Sequence, residues 1–519
     1  MTEPPGLPQA EGPYDYVVVG AGSAGCALAS GLSASQDVSV VLLEAGGPDD
    51  HPDIAAPNRW FALWGTDHDW GYRTIPQAGT AFRRHYWPRG RVLGGSSSIN
   101  GTMFLRGSRA DFDAWAYEGN TGWDYGRVLE SFKEIESVPA GDRRYHGDSG
   151  PLHPAVTASP SELSALFIEA AIQAGHERND DFNGLTLEGA GWTPLTIHGG
   201  RRESSARAFL QPAANRPNLT VLTGATAYQV TFDRGRATGV RYTRDGTLRL
   251  VAASREIILS GGAIDSPRLL LLSGIGPARD LEDLGIEVAV DAPGVGRNLQ
   301  DHVMAGVVYE ASRPIEGGDE YITDCCLFAR SDARRATVDL EVSLVRQNIF
   351  GEGFEAPPNC YAIIAEVMRP VSSGFLRLRS DDPSEQPLIN PAYLAEDEDV
   401  RTLAAGLGMA RAIGTAPALA GWTRGEVVPG PDTVTAQALA RYLRRAAGTS
   451  FHPAGTCRMG VTADCVVDPH LRVRGVDGLR VADASIMPSI VSANTNATAT
   501  MIGWHASKII RAGTGQAAQ

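Results

Sequence analysis

The segment FHPAGTCRMG, residues 451–460, sets His452 shortly before Cys457. Such a pair could be two ligands of a zinc ion, or a thiol with its activating base. It could also be unrelated, with the histidine alone taking a proton from something else. A zinc site needs a third and usually a fourth ligand, and none is evident beside these two, so the metal reading fails. The six cysteines, Cys26, Cys325, Cys326, Cys360, Cys457 and Cys465, form no C-x-x-C pair and suggest no disulfide framework. The segment does not decide between the two remaining chemistries.

The other end of the chain does. YDYVVVGAGSAGCALASGLSASQDVSVVLLEAG reads as strand, glycine turn, helix, strand and acidic end. Tyr16 to Val19 is a short apolar run suited to a strand buried on both faces. Gly20, Gly22 and Gly25 follow in G-x-G-x-x-G spacing. The first permits a tight turn, the second lets backbone approach a pyrophosphate, and the third lets helix pack close to strand. The helix then turns its N-terminal N–H groups toward the phosphates. Val38 to Leu43 give the next strand, which Glu44 ends 19 residues after Gly25. A carboxylate there accepts hydrogen bonds from both ribose hydroxyls and repels a 2′-phosphate. These features predict an adenine dinucleotide and leave NAD and FAD both open.

Two further stretches, GRVLGGSSSINGTMFLRG (90–107) and GGAIDSPRLLLLSGIG (261–276), are both rich in glycine and serine. The first is a donor-rich loop able to wrap a pyrophosphate or a ring edge. In the second, Leu269–Leu272 reads as a buried helical turn with Pro267 at the helix start. With the N-terminal unit, these stretches, GVGRNLQDH (294–302) and FHPAGTCRMG…VADASIMPSIVSANTNATATMIG, the chain resembles the glucose–methanol–choline oxidoreductases, FAD-dependent flavoproteins. The blocks stand in family order across nearly the whole chain.

The resemblance implies an α/β protein with a Rossmann-like FAD-binding domain and an antiparallel-sheet cap domain that walls the substrate pocket. It places Gly22, Ser23, Ala24 and Glu44 on the ADP portion and Ala227 at the adenine. Arg91, Val92, Gly95, Ser96, Asn100, Gly101, Thr102 and Met103 lie in the loop over the flavin. Asp483 and Ala484 reach the centre of the cofactor, and Asn494 and Thr495 the flavin ring, though a turn-forming role competes for the last two. Some relatives attach FAD through a histidine in this loop; the matching residue is Ile99, so non-covalent FAD is expected. His452 matches the base that removes the substrate hydroxyl proton as hydride leaves for flavin N5. Asn496 matches the residue that holds the hydroxyl and stabilises a developing oxyanion, with Asn494 as the alternative register. Cys457 is then a packed residue, and His302 and His505 are structural. Asp324 matches a position where choline-type relatives set a carboxylate near a cationic substrate.

Around these positions the chain divides, on this reading, into an FAD-binding domain of 14–155, 190–300 and 445–515 and a cap of 156–189 and 301–444. FLRLRS, DLEVSLV and CYAIIAEVM read as cap strands and VRTLAAGLGMARAIG as a helix. At 519 residues, 43% hydrophobic and 20% charged, the chain has ample material for two cores. The net charge of −14 argues against nucleic acid. No apolar run is long enough to span a bilayer, and MTEPPGLPQAEGP reads as a short disordered tail without secretory character. The expectation is a cytoplasmic monomer or homodimer. It oxidises a primary alcohol (aromatic or furanic, a polyol or an amino alcohol) and passes electrons to oxygen or another acceptor. A choline dehydrogenase or oxidase, a cyanohydrin-type lyase, a photodecarboxylase and a non-catalytic flavoprotein are the alternatives.

Overall fold

The computed structural model describes residues 11–315, 323–348 and 354–513. Most of the expected N-terminal tail lies outside them, but Glu11 to Pro13 already belong to the first strand, Glu11–Val19. Tyr321 and Ile322 of the YITDCCLF stretch also lie outside.

Two large sheets organise the chain. The first runs in the order Leu219–Leu222, Val40–Leu43, Glu11–Val19, Thr247–Leu259, Arg236–Arg244, Thr226–Asp233, and Leu479–Val481 also pairs with Thr247–Leu259. The apolar run Val17–Val19 sits between parallel neighbours on both sides, which is why every one of its side chains is buried. Thr247–Leu259 serves two partners along its length. Its first half pairs antiparallel with Arg236–Arg244, and its last residues pair parallel with the first strand and with Leu479–Val481. The C-terminal helix Thr495–Gly513 packs along the glycine-turn helix Ser23–Leu32.

The second sheet is antiparallel, in the order Thr423–Val428, Val303–Ala311, Cys360–Val367, Leu340–Val345, Cys325–Ala329, Gly189–Trp192. The helix Asp397–Gly414 covers it. Two details depart from the division read in the sequence. The boundary at 190 falls inside the strand Gly189–Trp192, which pairs with Cys325–Ala329. Gly448–Thr449, beyond the expected end of the cap, pairs with Val303–Ala311 and so ties the His452 segment to this sheet.

The helix expected to start at Pro267 starts earlier, at Gly262, and carries Pro267 in its interior. Proline has no N–H to give the carbonyl four residues back. The Thr456 hydroxyl supplies that bond instead, donating to the Ala263 carbonyl at 2.7 Å.

Candidate active site

A cavity of about 950 Å³ runs from the glycine turn to the antiparallel sheet. At one pole lie Gly20, Gly22, Ser23 and Ala24 from the first strand–turn–helix and Glu44 from the end of the next strand, with Ala227 nearby. A Cβ on Gly22 would meet nothing, so this backbone faces open space where a pyrophosphate needs room. Gly25 does not line the cavity; a Cβ there would stand 1.9 Å from the Gly20 carbonyl, so its part is to let the helix seat on the turn. Both carboxylate oxygens of Glu44 are anchored, accepting from Ala21 N at 2.9 Å and Gly46 N at 2.8 Å. Each oxygen retains a lone pair for a sugar hydroxyl. Burial raises this carboxyl to about 7, against those two N–H bonds.

Arg91, Gly95, Ser96, Asn100, Gly101, Thr102 and Met103 line the middle of the cavity, as do Asp483, Ala484 and Thr495. Val92 does not. It is buried in a small apolar cluster with Ile54, Leu63 and Ile99. Asn100 turns its side-chain oxygen to Thr102 N and the Arg202 guanidinium, so it shapes the loop. Asp483 accepts from Gly262 N and the Ser266 hydroxyl, joining the C-terminal segment to the helix after the second glycine stretch. An anchored acid for the ribose, an open glycine at the helix start and a long polar channel fit a dinucleotide.

His452 stands at the other pole. Its Nε2 faces Asn494 Nδ2 at 3.2 Å and its Nδ1 faces His302 Nδ1 at 3.0 Å. Of the two asparagines weighed from the sequence, Asn494 is the one within hydrogen-bond distance of the histidine here, and both line the cavity. Asn496 donates to Ser23 Oγ at 2.8 Å. The C-terminal helix begins at Thr495, so Asn494 precedes it and Asn496 lies in its first turn.

The rest of the pole is built from residues the sequence reading left without a role. His302, expected to be structural, is fully buried against His452. Its neighbour Asp301 accepts from the His452 backbone N at 2.7 Å and the Thr449 hydroxyl at 2.6 Å, and also from Tyr393 OH. Phe451 has φ +64, left-handed backbone that is costly for a bulky side chain. Arg89 holds Phe451 there by donating to its carbonyl at 2.6 Å, while the Phe451 N–H donates to Thr449 Oγ1 at 2.8 Å. Burial, then the nearby His302 and Arg89, hold His452 well below the ordinary histidine range. Burial brings His302 down to about 3. Both rings are therefore neutral at pH 7. The signal for this cluster was the run of polar residues in GVGRNLQDH, whose burial could not be read from one chain.

Three other expectations meet the structure here. Cys457 is buried and burial pushes its thiol well up, which leaves it packed and unreactive. His505 accepts or donates a bond with Ser131 Oγ at 2.9 Å, away from the cavity. Asp324 is buried but paired with Arg346 at 3.4 Å and with the Ser164 hydroxyl; its neighbour Thr323 lines the cavity and Asp324 does not. Among the described residues no His, Cys, Asp and Glu cluster could hold a metal ion, and no helix is long and apolar enough to cross a membrane.

Comparison with known proteins joins these observations. The GMC oxidoreductase family models match residues 14–304 and 370–503. The mitochondrial choline dehydrogenase of Mus musculus is 38% identical over 533 residues, covering 96% of this chain and 89% of that protein. An alcohol dehydrogenase [acceptor] of Pseudomonas putida is 38% identical over 526 residues, covering 96% and 95%. Among solved structures, pyridoxine 4-oxidase from Mesorbium loti superposes with a TM-score of 0.92 at 35% identity, covering 95% of this chain and 98% of that one. Formate oxidase of Aspergillus oryzae gives 0.89 at 26% identity, covering 98% and 99%. With both halves of the fold and the whole cavity accounted for, this chain belongs to the glucose–methanol–choline family of oxidoreductases and oxidises alcohols with FAD.

Proposed function

We propose that His452 is the base that takes the hydroxyl proton of an alcohol bound between it and the antiparallel sheet, with Asn494 holding the same oxygen. The observation that carries this reading is the pairing of a half-buried, neutral His452 with Asn494 on the cavity wall. Asn494 turns an N–H to Nε2, which leaves the ring proton on Nδ1, where His302 accepts it. Nε2 is then the basic atom, and a neutral base near the substrate is worth about 10²–10⁴-fold. Asp301 fixes the backbone of His452, so the ring's position does not depend on its protonation. Bound FAD supplies the hydride acceptor.

The cofactor is held without a covalent link, since Ile99 offers no nucleophile and is packed with Ile54, Leu63 and Val92. Denaturing the holoprotein in acid should release all of its yellow colour to the supernatant; colour retained by the precipitate overturns this point. The substrate is a primary alcohol, aromatic or furanic, a polyol or an amino alcohol. Trp60, Phe61, Trp64 and Phe451 stack at the cavity and give it an apolar side. A choline-type reading has the named dehydrogenase relatives behind it, but Arg346 already meets the charge of Asp324.

The test is anaerobic mixing with benzyl, furanic, aliphatic, sugar and amino alcohols while monitoring flavin absorbance. Bleaching by one class, lost in His452→Ala, is the expected result. Readmitted air then separates oxidase from dehydrogenase by how fast the colour returns. A yellow protein that no alcohol bleaches sinks the reading.

A further inference from the structure

The face that the antiparallel sheet turns to the cavity includes Met304, Ser343, Val345, Ile364 and Glu366. Glu366 sits in register with Met304 on one side and with Glu341 on the other. Cross-strand partners share a face with Cβ atoms roughly 5 Å apart, so the two carboxyls lie side by side. Glu341 is fully buried and Glu366 only 6% exposed. The Ser343 hydroxyl donates to Glu341 Oε1 at 2.9 Å, but Oε2 of both glutamates is buried without a hydrogen bond.

The other acids of this cavity are all met. Asp265 has Arg268 and Tyr72, Asp483 has Ser266 and Gly262 N, and Glu44 has two backbone N–H groups. The groups acting on Glu341 and Glu366 are each other, Asp301 and the hydroxyls of Ser343 and Ser450, with no cation among them. Two adjacent buried carboxyls share a proton, because the second charge has nowhere favourable to go. Burial raises Glu341 well above the ordinary carboxyl range and Glu366, which lines the cavity, to about 7, so a positive charge brought beside Glu366 would draw it into its charged form. A buried charge without a partner is costly, and a ligand that brings a cationic donor removes that cost.

We propose that Glu366, backed by Glu341, is the specificity-determining residue of this enzyme and selects alcohols that carry a protonated nitrogen. The proposal rests on the alcohol-oxidising reading above and deepens it. An N–H⁺ group suits the site better than a quaternary ammonium, which has no proton to donate and is held by aromatic cages. The cross-strand partners of Glu366 are Met304 and Glu341, while the aromatic rings that line the cavity come from other segments.

The experiment compares three alcohols of nearly one shape on the holoenzyme: 2-(dimethylamino)ethanol, choline and 3-methylbutan-1-ol. The first carries N–H⁺, the second a quaternary nitrogen, the third no charge. The expected result is kcat/KM for the amine above both others by about tenfold or more, the size of a charged hydrogen bond. In Glu366→Gln the ratio of amine to uncharged alcohol should collapse to within about threefold, and in Glu341→Gln it should shift, as the shared proton is lost. A wild type that takes the uncharged alcohol as well as the amine overturns the proposal without any variant. So does a Glu366→Gln that slows both by one factor. Preference for choline over the tertiary amine overturns the N–H⁺ requirement. A binding arm separates this failure from failure of the reaction. Titration with 2-methoxy-N,N-dimethylethanamine, which has no hydroxyl to oxidise, should perturb the flavin spectrum in wild type and much less in Glu366→Gln. If no alcohol bleaches the flavin but this amine still binds through Glu366, the reaction reading falls and the recognition stands; equal binding in both proteins ends it.

Discussion

Two hydrogen bonds and a backbone angle set what His452 can do. Its depressed basicity means that protonation, which would disable it, is deferred to lower pH. The acid limb of kcat/KM should therefore fall below the ordinary histidine value of 6.5, and a limb at or above that value contradicts the burial argument. Asn494→Ala should cost about 10²–10³-fold in the rate of flavin reduction, the size expected for one oxyanion donor. Asn496→Ala should cost less in that rate, since its partner is Ser23; rapid-mixing absorbance of the two variants decides between them. The base was legible because its motif is local. Its asparagine was less so, because two candidates lie within one short stretch and both line the cavity. His302 and Asp301 were illegible for another reason: nothing in a sequence says that residues so far apart share a pocket, and their separation of 150 and 151 positions from His452 is only bridged once folded.

At the level of elements, several connections depend on single polar groups. Thr456→Val keeps shape but leaves the Ala263 carbonyl unsatisfied in the helix Gly262–Leu272. A loss of about 1–3 kcal/mol is expected, measured by denaturant unfolding of the holoprotein. A second clip holds the loop after the helix Tyr125–Ile135. His146 bonds Glu136 Oε1 at 2.8 Å and Asp181 Oδ2 at 2.9 Å, and Arg106 pairs with the same glutamate. Burial works to lower the His146 basicity, but the bonds to Asp181 and Glu136 outweigh it and raise it from 6.5 to about 9. A raised histidine stabilises fully below its unfolded value and loses that contribution as pH climbs through its folded one. Melting temperature should therefore decline between about pH 6.5 and 9, and His146→Gln should flatten that decline; an unchanged slope removes the clip from the account. The helix at 262 illustrates a limit of reading elements from residue preferences. Proline marks helix starts in isolated sequence, and here a distant threonine makes an interior position tolerable.

For the molecule as a whole, the parallel half was readable and the antiparallel half only in part. Buried runs such as Val17–Val19 announce themselves, and the glycine turn fixes the helix that comes after it. The cap strands were visible one by one, but their order places Gly189–Trp192 beside Cys325–Ala329 and Gly448–Thr449 beside Val303–Ala311. Long-range pairing of this kind leaves no local signature. The cavity lies between the two sheets, so FAD contacts should hold the folded state. Melting of apoprotein reconstituted with FAD at a hundred times its Kd should reveal about 2.7 kcal/mol of added stability; coincident melts with and without FAD exclude tight binding to this form. The strand Leu479–Val481 pairs on the central strand of the first sheet, and Gly448–Thr449 extends the second. Both come late in the chain, together with His452 and Asn494. A polypeptide leaving the ribosome from its N-terminus therefore carries the glycine turn long before it owns the segments that close either sheet. Its dinucleotide pole must wait, apolar edges uncovered, until those later segments have been made, which exposes the early half of the fold to whatever shields nascent chains meanwhile.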